Sequence, residues 1–220
     1  TLEALTDPDG QRLLALPMAL REALNRTIRE AILNVMTTDN PSMNADSTTF
    51  YHADHNNTGT AALTIDNLGA VRIAMRNQTQ QNSSKRLGAK NDPAFLLVPH
   101  DLIDLAERIT NPSDTFVITP AVSTGGELDP RTFKGKVTVV PITHATDVNN
   151  YFAWAKPNPG AGIHTFSFDR LTGVQEPEMF QQFDPDAPSM FDSDTGKWKI
   201  RFWFDVTLLD WRSAYRQAVA

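Results

Sequence analysis

The sequence predicts an α+β fold in which a compact middle is set between elongated flanks, and three observations carry that prediction. Over residues 13–36, apolar side chains recur at Leu16, Leu20, Leu24, Ile28, Ala31, Ile32 and Val35 with Arg21, Glu22, Arg26, Arg29 and Glu30 between them. That is the period of an amphipathic helix. Residues 94–98 form a short apolar run closed by Pro99, and Leu102, Leu105, Ala106 and Ile109 follow at helical spacing, so a buried strand feeds a helix. Over 197–207, Trp198, Ile200, Phe202, Phe204 and Val206 alternate with Lys197, Lys199, Arg201, Trp203 and Asp205, the period of a strand with one greasy face.

Taken in chain order, the first helix is expected to begin near Leu16, because Pro17 is tolerated only in a first turn. Residues 37–62 are rich in Thr, Asp, Asn and Ser and carry no helical period; they read as a long excursion with a loose hairpin. Loops of that length are unusual inside a compact domain and are usually functional or find their packing elsewhere, for which another subunit is one option. Thr64 can cap the next helix, with Leu68, Val71 and Met75 on its inner face, Arg72 and Arg76 toward water, and an end near Gln80. Short strands are expected at 116–118, 136–140, 151–155 and 163–168, separated by turn-forming segments such as Asp129-Pro130 and Leu171-Thr-Gly173. The strand over 197–207 would extend roughly 35 Å at about 3.3 Å per residue, long enough to link separate regions.

Composition narrows the function. The 220 residues carry 20 Lys and Arg against 26 Asp and Glu, a formal charge of -6, which disfavours a protein built to grip phosphate backbones. With no cysteine there is no disulfide, thiolate metal site or cysteine nucleophile. No apolar run approaches the roughly 20 residues that cross a bilayer, so no membrane partner is expected.

Candidate chemistry is sparse. His52, Asp54 and His55 are the one dense group of metal-ligand types and would suit a metal-dependent hydrolase, but no further ligand pattern supports them; loop fixation is the simpler account. The run from Asp192 to Gly196 resembles the start of a calcium loop, but its glycine comes one position early and no closing glutamate follows, so a turn is expected. The sequence lacks a phosphate-binding glycine loop, a nucleophile elbow and a His-Glu-x-x-His pattern. Neither a catalytic residue nor a cofactor is expected. Arg72, Arg76, Lys85, Arg86 and Lys90 make the one local positive excess, either a solvated face or a set of ion-pair partners for a neighbouring subunit.

The order of four segments is more specific than any one of them. Phe50-Tyr-His-Ala-Asp-His-Asn56, then Leu68-Gly-Ala-Val-Arg-Ile-Ala-Met75, then Phe95-Leu-Leu-Val-Pro99 leading a helix, and last Asp210-Trp-Arg-Ser-Ala-Tyr215, together resemble the major capsid proteins of tailed phages, most closely the Mu-like major head subunits. The resemblance spans about 13–215. It implies an amino-terminal arm and helix (1–36), an extended loop over a neighbour (37–62), a peripheral domain with its spine helix (63–92), an axial domain (93–157), and a return to the peripheral domain with the long strand (158–220). The stretch 181–196 is longer and more acidic than the corresponding family connection.

The implied function is an icosahedral shell built of pentamers and hexamers of this chain around double-stranded DNA. It would be assembled in the bacterial cytoplasm, with portal, scaffold or decoration proteins as further partners. The acidic charge agrees, since an inner wall that bound phosphates strongly would trap the genome. A nanocompartment shell resembling the encapsulins is the alternative of like architecture. Under either reading the expected contact residues are Phe50, Tyr51, His52 and Asp54 on the extended loop, Arg72 and Arg76 on the spine, Trp198, Phe202 and Phe204 on the long strand, and Trp211 and Arg212 near the carboxy terminus.

Overall fold

A computed structural model describes residues 11–80, 83–112, 130–143, 145, 147–158, 163–174, 176–184, 186 and 196–219. The expected strand at 116–118 lies outside them. Two compact units are present: one takes Thr1–Asn34 and Phe168–Thr207, the other Val35–Ser167 and Leu208–Ala220.

The larger unit is organised by a five-stranded sheet of β1 (Thr58–Gly59), β2 (Pro93–Pro99), β3 (Thr138–Ile142), β4 (Tyr151–Ala155) and β9 (Ala214–Gln217) in the order β1-β9-β4-β2-β3. The pairs β1–β9 and β2–β3 are parallel, whereas β2–β4 and β4–β9 are antiparallel. Alternation along the strands divides its side chains between two faces. Leu96, Val98, Tyr151, Ala153 and Ala155 meet Leu68, Val71 and Met75 of helix α2 (Ile65–Asn77) and Ala106 and Ile109 of helix α3 (Ile103–Thr110). This is the main core, closed by Leu63, Phe133 and Val137. At about 1.5–3 kcal/mol for each large side chain fully buried, such a layer dominates the unit's stability.

Local signals explain the helix ends. Thr64 is extended, and its hydroxyl accepts from the Asn67 amide at 3.1 Å, with Asp66 in the first turn favoured by the helix dipole. Helix α2 stops at Asn77, three residues before the expected end, where Gln78 turns extended.

The second face of the sheet holds the principal surprise. The excursion 37–62 does not leave its own unit: Phe50 stacks on Trp154, Tyr51 packs against Phe152, and both Phe50 and Tyr51 are buried. The loose hairpin is present, as a bridge between Ser42 and Thr49. Phe50 and Tyr51, expected as contacts to a neighbour, are packed inside their own unit, where they supply the apolar contact that the polar composition of the segment hides.

The smaller unit contains most of helix α1 (Gln11–Thr37) and most of two two-stranded ribbons built from β5 (Phe166–Arg170), β6 (Glu178–Gln182), β7 (Lys197–Arg201) and β8 (Phe204–Leu208). Helix α1 starts at Gln11 and not near Leu16, which leaves Pro17 inside it; the carbonyl four residues back has no helical donor there. The single strand expected over 197–207 is two strands. β7 pairs with β6 and β8 with β5, the exchange falling at Phe202 and Trp203. Side-chain alternation continues in phase through that exchange, which is why the sequence pattern conceals it. The other expected strands at 136–140 and 163–168 occur two and three residues later, as β3 and β5, and 151–155 is β4.

Candidate functional site: the loop anchor and subunit-contact surfaces

The expected contact residues fall into three groups. The first is the anchor of the 37–62 segment. The Phe50 and Trp154 rings are 5.6 Å apart and nearly parallel, and Phe50 meets Tyr51 edge-on at 4.9 Å. The Tyr51 hydroxyl donates to the Met36 carbonyl at 2.7 Å, and the Arg216 guanidinium lies 5.4 Å from the ring. Burial drives the Tyr51 phenol well above its ordinary pKa, so it remains a donor. Asn40 brackets the Tyr51 backbone, accepting from its amide at 2.7 Å and donating to its carbonyl at 3.3 Å.

His55 completes this anchor. Its ring is buried, stacked 4.3 Å from Trp211 with planes 3° apart. Nδ1 is 3.0 Å from the Phe50 carbonyl, and Nε2 is 2.6 Å from Asp46 Oδ2 and 2.9 Å from the Thr48 hydroxyl. The contact with His55, chiefly its hydrogen bond, holds the Asp46 carboxyl down to about 2. His52 and Asp54 lie outside this packing. The His52 Nδ1 accepts from the Asp54 amide at 3.2 Å and caps the short 3-10 turn Ala53–His55; both side chains are partly or largely exposed.

Both His55 nitrogens are engaged by protein oxygens, Nδ1 by the Phe50 carbonyl and Nε2 by Asp46 and the Thr48 hydroxyl. Among the described residues no group of three metal-ligating side chains converges.

The second group is on α2. Arg76 was expected to face water and a neighbour, but its guanidinium makes a two-pronged ion pair with Asp92 of the same chain, Nη2 to Oδ2 at 2.6 Å and Nε to Oδ1. The Asp92 hydrogen bonds raise the Arg76 pKa further. The Arg72 guanidinium sits 5.0 Å over the Phe133 ring. Both cations are therefore committed within the subunit. Trp211 and Arg212 are likewise tied in: Arg212 stacks 4.5 Å from Trp211 and bonds Asp210 at 3.0 Å.

The third group, on the ribbon, is more open. Phe202 stacks on Phe204 at 5.7 Å, Phe204 on Phe168 at 5.6 Å, and Trp198 meets Phe183 edge-on at 5.2 Å. None of these rings is fully buried, and Phe183 is 46% exposed.

Sequence reasoning missed the polar residues that hold the anchor. Asn57, wholly buried, donates to the Phe50 carbonyl at 2.8 Å and accepts from the His52 amide at 3.1 Å. Gln78 donates to the carbonyls of His55 and Asn56, and Asn91 to those of Met75 and Arg212. Asn57 and Gln78 tie the loop, α2 and the 210–217 segment together, yet amide side chains in polar stretches give no sequence signal of burial.

Comparison with curated proteins gives no match. A family model described as phage capsid protein matches residues 1–217. That match covers nearly the whole chain and agrees with the mixed helix and sheet just described and with a structural role in the virion. The chain belongs to the phage capsid protein family.

Proposed function

We propose that this capsid protein self-assembles, as pentamers and hexamers, into the icosahedral head of a tailed phage that encloses double-stranded DNA, within the Mu-like branch. The observation that carries the reading is the match of a capsid family model to residues 1–217. Two physical features support it. The net charge of -6 suits a wall that must not trap packaged DNA. The ribbon also leaves large aromatic side chains open, and a two-stranded ribbon is marginal in water unless something covers it.

Within that shell, residues 93–157 supply three of the five strands and are assigned the axial role; the amino-terminal helix and ribbon are assigned the arm and peripheral contacts. Phe50 and Tyr51 act by fixing the loop from inside. His52, Asp54, Trp198, Phe202 and Phe204 are the side chains offered to neighbours, with Arg72, Arg76, Trp211 and Arg212 supporting the contact surface from within the subunit. Assembly takes place in the host cytoplasm, with portal, scaffold and decoration proteins as further partners.

Electron microscopy and sedimentation of the expressed chain test this directly. Closed shells are expected; a uniformly monomeric species across a wide concentration range would overturn the proposal.

A further inference from the structure

Resting on the self-assembly reading, we propose that the β6–β7 ribbon of one copy seats its Phe180, Arg201 and Trp203 stack in the groove between α3 and β3 of a second copy, with Lys197 and Lys199 meeting Asp104 and Glu107. The β6–β7 register puts Glu178 opposite Arg201, Phe180 opposite Lys199 and Gln182 opposite Lys197, so these six side chains share one face. On that face the Arg201 guanidinium lies 5.0 Å from the Phe180 ring and 4.3 Å from Trp203, while bonding Glu178 at 2.7 Å. The Arg201 charge is thus answered inside the ribbon, and the two rings are held in place. Phe180 is nevertheless 43% exposed and Trp203 42%. Aromatic and arginine side chains arranged rigidly at a surface are the usual anchors of protein interfaces. Lys197 and Lys199 stand exposed beside them.

The larger unit carries a shape and charge that answer this face. A groove of about 1290 Å³ runs beside α3, floored by Leu63, Ile65, Ile109, Val137 and Val139. Its charged lining is Asp104, Glu107 and Arg108, a net of one negative charge, and Leu105 lies along it 37% exposed. The volume admits aromatic side chains, the floor is apolar, and the acids suit the two lysines.

A second copy is the occupant this pairing selects. The two patches differ in shape and charge, so their contact is head-to-tail, and a head-to-tail contact repeated by rotation closes a ring. Rings are what a coat of pentamers and hexamers requires. One chain carrying both halves of such a contact needs no other partner.

The absence of cysteine makes the test clean. In a Gln182→Cys, Thr138→Cys chain, which keeps Phe180 and Leu105 and places one thiol on the same ribbon face and the other on the groove lining, particles treated with a short bis-maleimide should give a ladder of covalent oligomers on a denaturing gel. A product that stays monomeric means that the ribbon fills its own groove, and no cross-link in intact particles means that something else covers it; either overturns the proposal. Failure of the unsubstituted chain to form particles overturns the shell reading itself, and this contact with it.

A charge-reversal arm reads the same contact without cysteines. Lys197→Glu with Lys199→Glu should weaken assembly by at least about tenfold in the concentration needed, the equivalent of about 1.4 kcal/mol. Adding Asp104→Lys and Glu107→Lys should restore it. Unchanged assembly of the first variant, or no rescue in a second that keeps the parent's circular dichroism, counts against the pairing.

Discussion

The His55 imidazole lies flat on the Trp211 indole, 4.3 Å away and 3° from parallel, joining two segments more than 150 residues apart in the chain. One side of this contact is the 37–62 segment, the other the short turn that leads into β9. The stack is reinforced because His55 also bonds the Phe50 carbonyl and Asp46. His55→Phe keeps the stacking surface and removes the hydrogen bonds, leaving the Phe50 carbonyl with Asn57 as its one side-chain donor and Asp46 turned to water. A loss of about 0.5–1.5 kcal/mol is expected, the net worth of a buried hydrogen bond whose acceptor keeps a second donor. Trp211→Ala removes the stack instead, worth about 0.5–1.5 kcal/mol beyond lost area. Denaturant unfolding of the two single variants and the double variant separates the terms, and additive losses would show that stack and hydrogen bonds act independently.

Acid should loosen the same anchor through Asp46. Its carboxyl is held at about 2 against an ordinary 3.8, mainly by the His55 hydrogen bond. A group whose folded pKa is depressed adds stability that is fully present above its unfolded value and is lost as pH falls through the folded one. The Asp46 contribution is therefore complete above about pH 4 and fades toward pH 2. Asp46→Asn should flatten that part of the stability profile while leaving its neutral limb parallel to the parent's. A profile unchanged between pH 4 and 2, followed by tryptophan fluorescence, would refute the assignment.

Much of the larger unit could be read from side-chain pattern. The Thr64 cap, the apolar 94–98 run and the strand at 151–155 each carry a local cause, and the structure places all three where the pattern puts them. What pattern cannot carry is choice of partner. The alternation over 197–207 is unbroken although the strand changes partner at Phe202 and Trp203, because period reports which face a side chain takes and nothing about which strand lies alongside. Burial of the 37–62 segment was hidden for a related reason. Asn40, Asn57 and Gln78 look solvent-loving in sequence, yet they satisfy backbone groups that the fold removes from water. A helical wheel likewise turns Arg76 outward correctly; it cannot show that Asp92, 16 residues on, will be waiting there.

That pair changes what a charge reversal on α2 should do. Arg72→Glu with Arg76→Glu replaces a cation stacked on Phe133 and breaks the bidentate contact to Asp92, placing two carboxylates together. Folding stability should fall along with any effect on assembly, so assembly alone cannot report an interface here. The Arg76 and Asp92 side chains are 37% and 34% exposed, and solvent screening keeps their coupling to about 1 kcal/mol or less. A double-mutant cycle with Arg76→Ala and Asp92→Ala measures it, and the coupling should shrink further in high salt. A salt-independent coupling of several kcal/mol would contradict this account.

Gly59 offers the sharpest steric test of how the loop segment joins the sheet. It lies in β1 against β9, where a Cβ would come within 2.5 Å of the Gln217 side-chain oxygen. That oxygen accepts from the Ala61 amide at 2.8 Å, and Gln217 is itself buried. Gly59→Ala must therefore push the Gln217 amide aside and free the Ala61 donor, at a cost of about 1–3 kcal/mol. Shortening the obstacle relieves the clash but not the lost hydrogen bond. Gly59→Ala combined with Gln217→Ala should thus be less destabilised than the sum of the single variants, by roughly the steric share of the first. Strictly additive losses in denaturant unfolding would mean that Gln217 does not occupy the space beside Gly59.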